Sequence, residues 1–241
     1  AVLLPGTAST ADLVHRMFSS PLAAHGYALV TTDPPGCGGL VRRQLAALDD
    51  AVTRFAPRLV GGVSLGAHLA ARWALSRGPV RSLDGLLLAM PAWTGPPGRV
   101  AAASGAAAEE VARHGLAATV ARIEGAAAGW VADEIAAAWL RYDEAELVAA
   151  LHATAAAPAP TLADLARVDV PCGLAGLLDD PLHPAAVARR WARALPRAVL
   201  VETTLAAVGT DRSAVGHAAL LGWHQAVERP AGRPAAERQG P

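Results

Sequence analysis

Short apolar runs alternate with longer amphipathic stretches along this chain, the pattern of parallel strands covered by helices. Val2-Leu3-Leu4 reads as a buried strand ending at Pro5-Gly6. From about Thr10 to His25, Leu13, Met17 and Phe18 recur at helical spacing on one face. Tyr27–Thr32 reads as a second strand, running into the strong loop signal Asp33-Pro34-Pro35-Gly36. Leu40–Phe55 is a predicted helix, Leu59–Val63 a third strand, and Leu65–Ser76 a helix immediately after it. Leu83–Met90 is a fourth strand, closed by Pro91.

The pattern then changes. From about Ala92 to Val168 the chain is Ala-rich and helix-prone, with no convincing strand. Ala101–Ala108, Ala126–Trp130 and Ala153–Ala159 are nearly low-complexity, yet charged positions recur with helical spacing, so a helical insertion is expected. Val170–Leu178 reads as a fifth strand, Pro184–Leu195 as a helix, and Ala198–Thr203 as a sixth strand. Leu205–Val215 reads as a loop and Gly216–Val227 as the last helix. The segment Arg229–Pro241, rich in Pro, Gly, Ala and charge, is an expected disordered tail. The reading is an α/β fold: a mostly parallel sheet of about six strands, flanked by helices. Its core comprises residues 1–91 and 169–228, with a helical cap over 92–168 and no internal repeat.

Composition sharpens this picture mainly by exclusion. With 241 residues, 53% of them hydrophobic, the chain suits one α/β domain carrying an insertion. The formal net charge is zero, so no nucleic-acid partner is expected. Lys and Asn are absent. A Schiff-base lysine, a Ser-Lys dyad, a P-loop lysine and N-glycosylation are thereby excluded. The wealth of Ala, Gly, Pro and Arg points to a GC-rich, bacterial genome. Cys37 and Cys172 are the two cysteines. They read as unpaired core residues rather than a disulfide or zinc framework. No apolar run is long enough for a membrane span, and the start lacks the marks of a signal peptide. It also lacks an initiator Met, and reads as trimmed. A cytoplasmic protein with no membrane contact is the resulting expectation.

The strongest chemical signal is Gly62-Val63-Ser64-Leu65-Gly66, a G-x-S-x-G match lying between a predicted strand and a predicted helix. That context defines a nucleophile elbow. The turn is so sharp that side chains two residues before and two after the serine would collide, and glycines at 62 and 66 remove the collision. The elbow lifts Oγ above the sheet edge and turns the Leu65 amide toward a helix N-terminus, where an anion is favoured. In these residues the chain resembles the α/β-hydrolase superfamily, and the resemblance extends from Leu3 to about Val227.

The resemblance implies an acid and then a histidine after the serine in chain order. After the fifth strand comes Asp179-Asp180-Pro181-Leu182-His183-Pro184, similar to the family's acid corner. Asp180 matches the register before the proline best, and Asp179 fits the other common spacing. His217, in the pair Gly216-His217 after the last strand, is the candidate base. His224 lies two turns further along the same helix, and His183 is adjacent to the acid corner; neither is expected to serve. His68, one turn after Ser64, reads as packing. In the resulting triad His217 takes the Ser64 proton and returns it to the leaving group, while Asp180 orients the imidazole.

The oxyanion hole needs two donors. The Leu65 amide is one, and the loop Pro5-Gly6-Thr7-Ala8 after the first strand offers Thr7, with Ala8 next. Many relatives carry His-Gly where Pro5-Gly6 stands here. The family's two antiparallel strands would precede this strand; either they lie outside this sequence or the sheet has only about six strands. Trp93 and Trp139 are candidate substrate contacts, with Trp130 alongside them. The implied chemistry is acyl transfer to water through an acyl-enzyme, on a small-molecule ester, thioester, lactone or similar acyl substrate, without a cofactor. An acyltransferase or carbon–carbon bond hydrolase of the same fold, and a non-catalytic small-molecule binding module, are the alternatives.

Overall fold

The computed structural model describes residues 1–33, 39–78, 83–126 and 129–229. Five strands, β1 (Val2–Leu4), β2 (Leu59–Val63), β3 (Gly85–Ala89), β4 (Cys172–Leu177) and β5 (Ala198–Thr203), form one parallel sheet in that order. Every residue of the first four strands is buried. This follows from helices covering both faces, so these strands read as continuous apolar runs rather than alternating ones.

Successive residues still point to opposite faces. Leu86 and Leu88 pack with α2 (Leu40–Phe55), α3 (Leu65–Arg77) and α9 (Ala185–Ala194). Leu87 and Ala89 pack with α1 (Ala11–Ala24) and α11 (Ala214–Glu228) on the other side. The helix α1 starts where Thr10 caps it, accepting from the Leu13 amide at 3.2 Å.

Between β3 and β4 lie α4 (Arg99–His114), α5 (Leu116–Ala126), α6 (Trp130–Trp139), α7 (Glu144–Ala155) and α8 (Leu162–Leu165). They hold an apolar cluster of their own, including Ala108, Val111, Trp139, Leu147 and Leu151. Ala8 of the loop after β1 joins that cluster. Further ties run to the core: the Trp130 indole donates to the Leu205 carbonyl at 2.9 Å, and Glu134 bridges Arg16 and Arg212. No helix among the described residues is long and apolar enough to cross a membrane.

Three expectations need adjusting. Tyr27–Thr32 is not a strand: Val30 alone bridges Val2, leaving a five-stranded sheet. Val30 keeps two bonds to the edge, its carbonyl accepting from the Leu3 amide at 3.0 Å and its amide donating to the Ala1 carbonyl at 2.8 Å, while Asp33 beyond it accepts from the Ala11 amide at 2.7 Å and pairs with Arg141 at 2.9 Å. Leu205–Val215 is not a continuous loop, because α10 (Leu205–Thr210) forms within it, capped by the Thr204 hydroxyl on the Ala207 amide. The last helix starts at Ala214 instead of Gly216. Asp211 starts it by accepting from both the amide and the hydroxyl of Ser213. Cys37, the Pro34-Pro35-Gly36 loop signal and the tail from residue 230 lie outside the described residues. Cys172 is buried and unpaired.

Candidate active site

The C-terminal ends of the five parallel strands meet at one edge of the sheet, where ligand crevices of such sheets form. Ser64 sits there, between the last residue of β2 and the first of α3. Its amide still donates to the Ala89 carbonyl at 2.9 Å, so the serine is anchored to the sheet. Its backbone is then thrown to φ 55° and ψ −117°. A non-glycine residue in that region stores about 1–3 kcal/mol of strain.

The glycines around it are sterically required. A Cβ on Gly62 would lie 2.6 Å from both the Leu4 carbonyl oxygen and the Gly66 carbonyl carbon. One on Gly66 would overlap the Leu4 carbonyl. The first strand's end, the elbow and the start of α3 are thus in backbone contact. One on Gly6 would touch the Ser64 Cβ at 3.3 Å, so the loop after β1 passes directly beside the serine.

That loop and the elbow supply donors. Among the described residues the amides of Thr7, Ala8 and Leu65 have no acceptor, and Ser64 does not cap α3 with its own side chain. The loop is held from two sides. The Thr7 hydroxyl shares a 2.7 Å hydrogen bond with the buried Thr154 of α7, and Gln44 of α2 donates to the Pro5 carbonyl at 3.5 Å. Ala8 adopts φ 47°.

The acid corner follows β4. A parallel bridge between Leu177 and Pro184 folds this loop back onto the strand end. The two aspartates diverge: Asp179 accepts from the Leu205 amide at 2.7 Å and so braces α10. Asp180 accepts from the Leu182 amide at 2.8 Å and shares a 2.7 Å hydrogen bond with Nδ1 of His183. Both side chains of that pair are largely buried. Burial pushes the Asp180 carboxyl up, but the His183 hydrogen bond, the His183 charge and the amides outweigh it and hold the pKa below the usual carboxylate range.

His217 is exposed. Because α11 begins early, this residue lies within the helix. Val215, Ala218, Ala219 and Trp223 face inward, while His217, Leu221 and Glu228 share the exposed stripe. No hydrogen bond joins His217 to Ser64 or Asp180 among the described residues; its charge is felt instead by Asp211. His224 lies tilted against His25, sharing a 3.1 Å hydrogen bond with it.

His68, one turn below Ser64, is packed as expected. Its ring lies edge-on to Trp93 and stacked with Trp191. Burial first, then the charges of His183 and Arg72, lower its pKa to about 3. Nε2 accepts from the Ala92 amide at 3.0 Å, while buried Nδ1 has no partner.

The sequence matches the model of a family described as "Alpha/beta hydrolase family" over residues 1–232. The chain belongs to that family. Among solved structures, the chain is similar to a thermophilic esterase from Thermogutta terrifontis, with TM-score 0.71 and 17% identity over 95% of this chain and 90% of that one. MenH from S. aureus gives TM-score 0.71 and 18% identity over 95% and 94%. The enol-lactonase from Burkholderia xenovorans LB400 gives 0.63 and 15% over 84% and 81%. At these identities the likeness concerns the fold. None of the curated proteins compared with the chain matches it.

The two tryptophans read as substrate contacts are both buried. Trp93 donates to the Ala157 carbonyl at 3.1 Å and its own carbonyl accepts from Trp191 at 3.2 Å. Trp139 lies in the inserted cluster beside Ala8. Sequence reasoning missed His183 as the partner of Asp180, although the histidine three residues after the acid was visible. It also missed Thr154, which carries no sequence signal. A groove of about 500 Å³ opens between α2, α3 and α7, lined by Leu40, Leu45, Arg72 and Ala153 among others; none of the predicted site residues borders it.

Proposed function

We propose that the protein is a serine hydrolase forming an acyl-enzyme on Ser64, with a carboxylic ester, thioester, lactone or related acyl compound as substrate. The observation that carries this reading is the strained Ser64 backbone at the junction of β2 and α3, flanked by glycines that no larger residue could replace. Such strain persists only where the surrounding structure enforces it, and it aims a hydroxyl out of the sheet edge.

In this reading Ser64 Oγ attacks the acyl carbon and the carbonyl oxygen becomes negative. The amides of Thr7 and Leu65 receive that charge. One such donor is worth about 2.7–4 kcal/mol. An imidazole takes the Oγ proton and passes it to the leaving group; water then repeats the sequence on the acyl-enzyme. Asp180 is the acid, since Asp179 is occupied in bracing α10. The sequence expectation gave that role to His217, but His217 is exposed on α11 and no hydrogen bond joins it to Ser64 or Asp180 among the described residues, so this reading leaves the imidazole unassigned. The inserted helices form a lid over the crevice, and their apolar content suits a small-to-medium acyl or alcohol group.

A fluorophosphonate probe tests the proposal. The wild type is expected to be labelled and Ser64→Ala to remain unlabelled, with hydrolysis of p-nitrophenyl esters falling by about 10³-fold or more. Folded wild type that takes no label, or equal label on Ser64→Ala, overturns the reading.

One observation favours a second reading, a non-catalytic small-molecule binding module: no imidazole is hydrogen-bonded to Ser64 among the described residues. There the protein binds an ester without turnover and remains unlabelled.

A further inference from the structure

Asp180 already holds an imidazole, and it is not the one that chain order selects. We propose that His183 is the base that serves Ser64, in the place assigned to His217. The inference rests on Ser64 being the nucleophile and deepens that reading.

Four observations carry it. The first is the 2.7 Å hydrogen bond between Asp180 and Nδ1 of His183, in a pair whose side chains are only 8% and 16% exposed. A carboxylate at Nδ1 selects the tautomer that leaves Nε2 as a proton acceptor, the form a general base needs. Second, the Leu177–Pro184 bridge holds residue 183 against the end of β4, at the edge where Ser64 emerges. With β3 between them, β4 and β2 are separated by two strand spacings, about 10 Å. A carboxylate, an imidazole and a hydroxyl hydrogen-bonded in series cover much of that gap. Third, His183 lies near enough to His68, one helical turn after Ser64, for its charge to help lower the His68 pKa. His68 itself cannot compete, because its Nε2 is committed to the Ala92 amide. Fourth, His217 is turned to solvent. The structure records no hydrogen bond between His183 and Ser64; catalytic bonds of this kind often tighten only with substrate in place.

The step balances without any added reagent. Nε2 of His183 takes the Oγ proton as the Oγ–carbon bond forms and the carbonyl electron pair moves to oxygen. As the pair returns, the bond to the leaving group breaks and the leaving group takes that proton. Water then replaces Oγ by the same route.

The experiment compares rates of fluorophosphonate labelling in the wild type, Ser64→Ala, His183→Gln and His217→Gln, with near-ultraviolet circular dichroism as the check on folding. His183→Gln is expected to be labelled about 100-fold more slowly or worse, and His217→Gln within about twofold of the wild type, as befits a solvent-facing residue. A wild-type rate in His183→Gln overturns the inference alone, as does slow labelling in His217→Gln. An unlabelled wild type overturns the parent reading and this inference together. Should His183→Gln not fold, ring ¹⁵N spectra of the wild type decide, with the His217 resonance identified by its loss in His217→Gln. Phosphonylation of Ser64 is expected to move a histidine resonance other than that one. Movement of the His217 resonance, or of none, overturns the inference.

Discussion

The turn after β2 and the connection after β5 stand at the same edge of the sheet, yet they were formed by different forces. At the turn, covalent geometry leaves no freedom. Gly62, Gly66 and the Leu4 carbonyl are packed backbone on backbone, and only one path fits. At the connection, small polar caps decide. Thr204 starts α10 and Asp211 starts α11, each through hydrogen bonds formed within three residues along the chain. Steric exclusion costs several kcal/mol when violated, whereas a cap is worth about one. The first region therefore tolerates one structure, and the second is settled by local chemistry that carries His217 into a helix.

Three measurements sharpen this contrast. The largest effect is expected at the turn. Gly62→Ala puts a methyl group 2.6 Å from two backbone atoms that cannot retreat. Chemical unfolding should show a loss of about 4 kcal/mol or more, or no folded protein; a variant as stable as the wild type would mean that the turn has slack. The next concerns His68, which packs beneath the same turn. Its folded pKa of about 3 lies below its ordinary value of 6.5. Between those values the unfolded chain holds the extra proton, so stability rises with pH across the window and is lost as pH falls through it. From pH 6.5 to 4 the loss should be about 3 kcal/mol. His68→Gln, which keeps an acceptor for the Ala92 amide, should flatten that profile; an unchanged slope would assign the acid sensitivity to other groups. The smallest effect belongs to the connection. Thr204→Ala removes the cap of α10 and should cost about 1 kcal/mol, read as a modest fall in melting temperature. A cost as large as that of Gly62→Ala would erase the distinction between the two regions.

The same distinction explains what could be read in the residues. The bounds of β1, β2, β5 and α2 coincide with those expected; for β1 and β2, burial on both sheet faces leaves an unbroken apolar signal. The elbow was legible for its steric reason. Tyr27–Thr32 has strand-like composition, but it pairs with the edge of the three-residue β1 at Val30 alone. Nothing in its own residues announces how little edge there is to pair with. The helix that absorbs His217 did carry a warning, Asp211-Arg212-Ser213 before an apolar run, which is a helix-start signature. The expectation of a Gly-His loop outweighed it. The Asp180–His183 contact is also local, three residues apart, but a histidine so near in sequence reads as part of the acid corner and not as its partner.

The hydrogen bond between Thr7 and Thr154 spans 147 positions of chain and ties the loop beside Ser64 to α7 of the inserted layer. Any rocking of α7 must either drag that loop or break the bond. The path of the loop beside Ser64 is thus set in part from outside the sheet, by a single proton shared between two hydroxyls.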